Sequence, residues 1–229
     1  MKKAILILSL LFMTISYGQE VKQVPQINVN GEGKVKVIPD QATIAVTVET
    51  KGNNAKEVKK ENDQKIEAVL KFIKKMNLAP ADFKTQRVSL NPQYDYEKKK
   101  HNYNATQTIE ILLRDLSNYD ELMEGLVDEG INRIDTVTFQ SSKLTQYQTE
   151  ARKLAMKEAK LKAEDYVSVL GQKVGRAMTI SDLSQTYYPQ PMYVAMKTME
   201  ISDASAPRET LALGEINITA NVSVNFILE

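Results

Sequence analysis

GEGKVKVIPDQA spans residues 31–42, and its two glycines flanking a single residue invite comparison with a phosphate-binding loop. Such a loop needs a strand before the glycines and a helix N-terminus after them, so that free N–H groups face the phosphate. Here Gly33 is followed by Lys-Val-Lys-Val-Ile-Pro, which is strand alternation ending in a proline. The third glycine of the dinucleotide fingerprint is missing, and so is the lysine–Ser/Thr pair of the phosphate loop. The pattern predicts a strand over 27–38, with Gly31 and Gly33 forming a bulge or permitting close backbone approach. Of the two, the bulge is the preferred reading.

Outward from this strand, residues 40–141 form a coherent unit. Ala42, Ile44, Val46 and Val48 alternate with Thr43, Ala45, Thr47 and Glu49, the signature of a half-buried strand. Between Ala55 and Met76 apolar residues at 55, 58, 66, 69, 70, 73 and 76 make a helical stripe opposed by lysines and glutamates. Two strand-like runs follow, 83–96 and 103–113, joined by the charged tip Glu97 to Asn102. Asp115 and Ser117 are N-cap candidates for a helix ending at Gly130, and Ile134 to Phe139 alternates as a further strand. The order strand, helix, strand, strand, helix, strand predicts a ferredoxin-like βαββαβ plait over 40–141.

The flanks predict a second αβ layer from 26–39 plus 142–229, with the plait inserted into it, and the fold class is therefore α+β. Thr145 and Gln148 resemble a capping box. The helix that follows, to about Leu170, carries Ala151, Ala155, Ala159 and Ala163 at four-residue spacing, which lets a backbone approach closely. Val174 to Asp182 and Glu215 to Glu229 read as strands, the latter alternating throughout. Between them a long loop, 184–210, holds three prolines and a Met/Tyr cluster.

The N-terminal end reads as a targeting segment. Lys2 and Lys3 precede an apolar run from Ala4 to Ile15, and Ser16-Tyr17-Gly18 puts small residues at a cleavage site. A signal peptide over 1–18 and an extracytoplasmic, periplasmic location after cleavage near Gly18 are expected. Removing Lys2 and Lys3 from 30 basic residues leaves one fewer base than the 29 acids. That balance leaves no electrostatic footprint for nucleic acid. There is no cysteine in the 229 residues, which closes thiol catalysis, thiolate metal sites and disulfides. No other segment has the length and apolarity of a membrane span, so an integral membrane protein is not expected.

Several of these features together resemble a known family. Gly31-x-Gly33, the valine-rich strand, Pro39-Asp40-x-Ala42, Pro92-x-Tyr94, Arg114-Asp115, and the helix from Glu150-Ala151-Arg152 to Leu170-Gly171 look like the SIMPL-domain family. The match runs from about Ile27 to Phe226, with Asn102 before Tyr103 where the family tends to have glycine. The resemblance implies an exported, non-enzymatic, self-associating protein, associated with oxidative-stress defence or known as a surface immunogen. It brings no catalytic residue.

Candidate chemistry is sparse. His101, the only histidine, follows three lysines on the expected hairpin tip and reads as a solvated loop residue. A G-x-S-x-G nucleophile motif is absent. Asp40 reads as serving a turn after Pro39, and Arg114 and Asp115 as ion-pairing and capping. Met192, Met196 and Met199 fall at i, i+4 and i+7, so a helical loop would bring their thioethers to one face. That permits Cu(I) or oxidant handling, although packing or subunit contact is the preferred reading. No cofactor and no catalytic residue are expected, the partner is a second copy, and the tip Lys98 to Lys100 offers at most weak contact with an envelope surface.

Overall fold

The computed structural model describes residues 24–97, 99–184, 211 and 213–229. The expected signal peptide, the loop from residue 185 to 210 and its three methionines lie outside these residues. The chain is α+β, with two antiparallel sheets. Its elements in order are β1 (Gln26–Val37), β2 (Gln41–Gly52), α1 (Ala55–Lys75), β3 (Phe83–Asp95), β4 (Lys100–Leu113), α2 (Tyr119–Asp128), β5 (Arg133–Gln140), α3 (Leu144–Ser168), β6 (Val174–Asp182) and β7 (Ile216–Leu228).

One sheet has the order β3-β4-β2-β5, every neighbour antiparallel, which is the strand order of the plait. Helices α1 and α2 cover one of its faces. Ile44, Val46 and Val48 of β2 and Ile109 and Ile111 of β4 meet Ile66, Val69 and Ile73 of α1 and Leu122 and Leu126 of α2. Each of these side chains contributes about 1.5–3 kcal/mol by leaving water. Asn54 caps α1, its Oδ1 accepting from the amides of Lys56 and Glu57. Asn77, at φ 57°, ends that helix in the left-handed region. At the β3–β4 hairpin the left-handed residue is Lys99, at φ 50°. Asn102 pairs in register with Gln93 and lies in regular strand.

The other sheet has the order β1-β7-β6, with α3 packed across β1 and β7. The structure corrects the bulge expected at Gly31 and Gly33. Strand β1 pairs with β7 residue for residue from Gln26↔Ile227 to Val37↔Ile216 without a register shift. The glycines instead face α3. A Cβ built on Gly33 would overlap the Ala151 carbonyl oxygen and stand 2.5 Å from the Ala155 amide nitrogen. One built on Gly31 would overlap the Ala155 carbonyl and stand 2.8 Å from the Ala159 nitrogen. Two glycines on the strand and four fully buried alanines on the helix thus form one seam of backbone-to-backbone contact.

The start of α3 also departs from expectation. Thr145 does not cap it: the helix begins at Leu144 with Lys143 at the N-cap, and the Lys143 side chain makes no capping hydrogen bond. Ser141 fills the role from outside, its carbonyl accepting from Leu144 N–H and its Oγ from Lys143 N–H. The neighbouring Ser142 is drawn the other way, by Asp40.

Candidate functional site

Two regions collect polar or uncovered groups. The first is the plait-sheet face opposite the helices. Thr47, fully buried among its neighbours, donates to Asp135 Oδ2 at 2.5 Å and shares a hydrogen bond with Thr108. A register shift opposite Ala45 and Val46 leaves Asp135 unpaired in the ladder, which aims its carboxylate at this threonine. Arg133 ties Asp135 (Nε to Oδ1, 2.7 Å) to Glu49 (3.1 Å), and Glu49 also takes Lys51 at 2.8 Å and Asn104 at 3.0 Å. Asn132 clamps the Glu49 backbone, donating to its carbonyl and accepting from its amide.

The electrostatics follow from these contacts. The Lys51 hydrogen bond, helped by Asn104 and Arg133, holds the Glu49 carboxyl below its ordinary value. Burial alone would raise Asp135, but hydrogen bonds from Thr47 and Arg133 outweigh it and hold that carboxyl low. Both acids are therefore anions engaged by donors, which suits them to fixing β5 against β2. A general base needs a free lone pair and a pKa near working pH, and these two groups are tuned the other way.

The residues singled out from the sequence fall in separate places. Arg114 grips the buried Asp82 with two bonds, Nε at 2.8 Å and Nη2 at 2.6 Å, and Asp115 accepts from Ser117. Asp40 does not serve a local turn. Its carboxylate accepts from the Ser142 amide at 2.7 Å and hydroxyl at 2.5 Å, across 102 positions of sequence. It thereby fastens the β1–β2 link to the β5–α3 link, the two places where the chain passes between sheets. His101 is in strand β4 rather than a loop; it pairs with Tyr94, ring centroids 5.1 Å apart. The Met192, Met196 and Met199 trio lies outside the described residues.

The Arg114 pair has a testable consequence. Its hydrogen bond holds Asp82 below the ordinary carboxyl value, so its stabilisation is present above the unfolded pKa of about 4 and is lost as pH falls through the folded value. Arg114→Gln should lower stability at pH 7 and converge with the wild type in acid. Urea midpoints between pH 7 and 2.5 check this, and a gap that stays constant with pH would contradict it.

The second region is a groove that sequence reasoning missed. Helix α1 lies over β2 and β4 and barely reaches the edge strand β3. Val88 and Leu90 pair with Gln107 and Ala105, on the same side of the sheet as the helices. Yet Val88 remains 63% exposed. Two hollows of about 490 and 500 Å³ run along this flank, lined by Leu90, Ile66 and Leu70 with lysines and the acids Asp63 and Glu67 around them. The edge of β1, by contrast, is stopped: the Glu158 carboxylate accepts the Glu32 amide and Lys162 Nζ donates to the Asn30 carbonyl at 3.1 Å.

Comparison with known proteins bears on what these features belong to. The SIMPL family model, described as a protein of unknown function (DUF541), matches residues 27–226, a span that takes in both sheets. The chain belongs to the SIMPL family. Among curated SIMPL relatives, the uncharacterized protein YggE of Escherichia coli K12 is 29% identical over 213 residues, covering 92% of this chain and 86% of its own length. The 26 kDa periplasmic immunogenic protein of Brucella melitensis is 27% identical over 219 residues, covering 92% and 87%. Among the described residues of this SIMPL chain, no helix is long and apolar enough to cross a membrane.

Proposed function

We propose that this SIMPL protein is exported to the periplasm and works as a non-enzymatic, self-associating component of the cell envelope that contributes to oxidative-stress protection. The observation that carries self-association is the groove between α1 and β3. Leu90 in the groove and Val88 63% exposed beside it, on an edge strand that no side chain covers among the described residues, make a surface suited to another polypeptide. The name of the Brucella relative supports the compartment, and the targeting pattern of the first eighteen residues agrees with it. The acids that sequence and structure bring together are spent on holding strands and links, which favours a binding role over a chemical one.

Light scattering coupled to size exclusion, on residues 19–229 at micromolar concentration, tests the assembly. A defined oligomer is expected, and a clean monomer would overturn the reading. The protective role is checked separately, by peroxide survival of a strain lacking the gene. Unchanged survival would remove stress from the proposal and leave assembly standing.

A further inference from the structure

The two helices of the plait carry opposite charge, and neither neutralises itself. Helix α1 holds Lys56, Lys59, Lys60, Lys65, Lys71, Lys74 and Lys75 against Glu57, Glu61, Asp63 and Glu67. Its i,i+4 partners use up Lys59 with Asp63 and Lys65 with Glu61, leaving along the groove Lys56, Lys60, Lys71 and Lys74 against the single acid Glu67, none of them in an ion pair among the described residues, so the groove keeps an excess of positive charge. Every charged residue of α2 is acidic: Asp120, Glu121, Glu124 and Asp128, with Glu129 at its C-cap. Glu121, Glu124 and Asp128 are exposed and make no ion pair among the described residues, and helical spacing puts them along one side of Val127, which is 54% exposed.

An apolar floor edged by unpaired lysines therefore lies at one flank of the layer, and an apolar side chain edged by unpaired carboxylates lies on the other helix. Within one molecule they cannot meet, because α1 and α2 are packed side by side on the sheet, with Phe72 filling the space at Gly125. We propose that the α1/β3 groove of one copy receives the α2 ridge of a second copy, Val127 seating over Leu90 and Val88 while Glu124 and Asp128 face the row of groove lysines that includes Lys60 and Lys71. The ridge is short enough to lie within the length of the groove. At 1.5 Å per residue α2 is about 15 Å long and the lysines from 56 to 74 span about 27 Å. The contact is heterologous, using two different patches, so repetition gives a closed ring or an open chain rather than an isolated two-fold dimer.

This inference rests on the self-association proposed above and names its contact. It is tested with charge reversals in the mature chain, Lys60→Glu with Lys71→Glu for the groove and Glu124→Lys with Asp128→Lys for the ridge. Each pair should weaken association at least tenfold with an unchanged far-UV circular dichroism spectrum. Mixing the two variants should restore one-to-one association, because one contact keeps the original charges and the other pairs the reversed ones. The cysteine-free sequence allows a second measurement that does not depend on charge. Leu90→Cys and Val127→Cys proteins should cross-link when mixed under oxidising conditions, and neither should link to itself. A wild-type oligomer untouched by both reversals, or a single cysteine variant that links to itself, would overturn this contact while self-association stands. A monomeric wild type would overturn the underlying reading itself.

Discussion

Gly33→Val strips α3 from its sheet, and stability falls by upwards of about 3 kcal/mol, the range in which overpacking meets backbone that cannot move aside. The added Cβ would overlap the Ala151 carbonyl and crowd the Ala155 amide, both inside a helix whose hydrogen bonds fix them. Relief requires the whole helix to lift. That would expose Ala151, Ala155, Ala159 and Ala163 together with Ile218, Val222 and Val224 of β7. The control is Lys34→Val, one residue on and on the opposite face, where the side chain is exposed and valine suits an extended backbone. Urea unfolding of the two variants decides the matter. A Gly33→Val protein within about 1 kcal/mol of wild type would mean that β1 and α3 are not in backbone contact, since that lies below the range that overpacking costs.

The same position shows where sequence pattern stops being informative. Alternation announced β1, β2 and β7, and the four-residue alanine spacing announced the buried face of α3, because each reports a period within one element. Whether Gly33 made a bulge or a close approach depended on which element lay above it, and period does not carry that. Asp40 and Ser142 are 102 positions apart and Glu49 and Arg133 are 84 apart, so their meeting is a product of register between strands. The groove was hidden for a different reason. Val88 and Leu90 look like ordinary strand residues, and only the placement of α1 over β2 and β4 leaves them bare. What could have been read is the charge contrast between the lysine-rich first helix and the wholly acidic second. A count helix by helix exposes it, where a net charge near zero conceals it.

Asn62 is the other position where a single atom type decides stability. It occupies the one gap in the apolar stripe of α1, between Val58 and Ile66, and it is 3% exposed. Its Nδ2 donates to the Val48 carbonyl at 3.1 Å, the Thr50 hydroxyl at 3.3 Å and the Ala105 carbonyl at 3.4 Å. Asn62→Asp keeps the shape and replaces that donor with an anionic oxygen facing two carbonyls. An uncompensated buried charge costs about 3–5 kcal/mol, and burial of this kind raises a carboxyl by about 3–5 pKa units. The sign follows. A folded pKa above the unfolded value of about 3.9 means that the folded variant holds its proton more tightly than the unfolded chain. Relative to wild type the variant is therefore least impaired below pH 4, where the neutral acid still donates one O–H. The deficit grows as pH rises and is complete above the raised folded pKa. Asn62→Ala, which only deletes the donor, should lose about 1–3 kcal/mol with no such pH dependence. The comparison must be made as a difference from wild type at each pH, since the depressed carboxyls of Asp82, Asp40 and Glu158 weaken every variant in acid by the opposite sign. An Asn62→Asp deficit that is flat from pH 4 to 8 would mean that position 62 is open to water, and that α1 does not seat on the sheet through this amide.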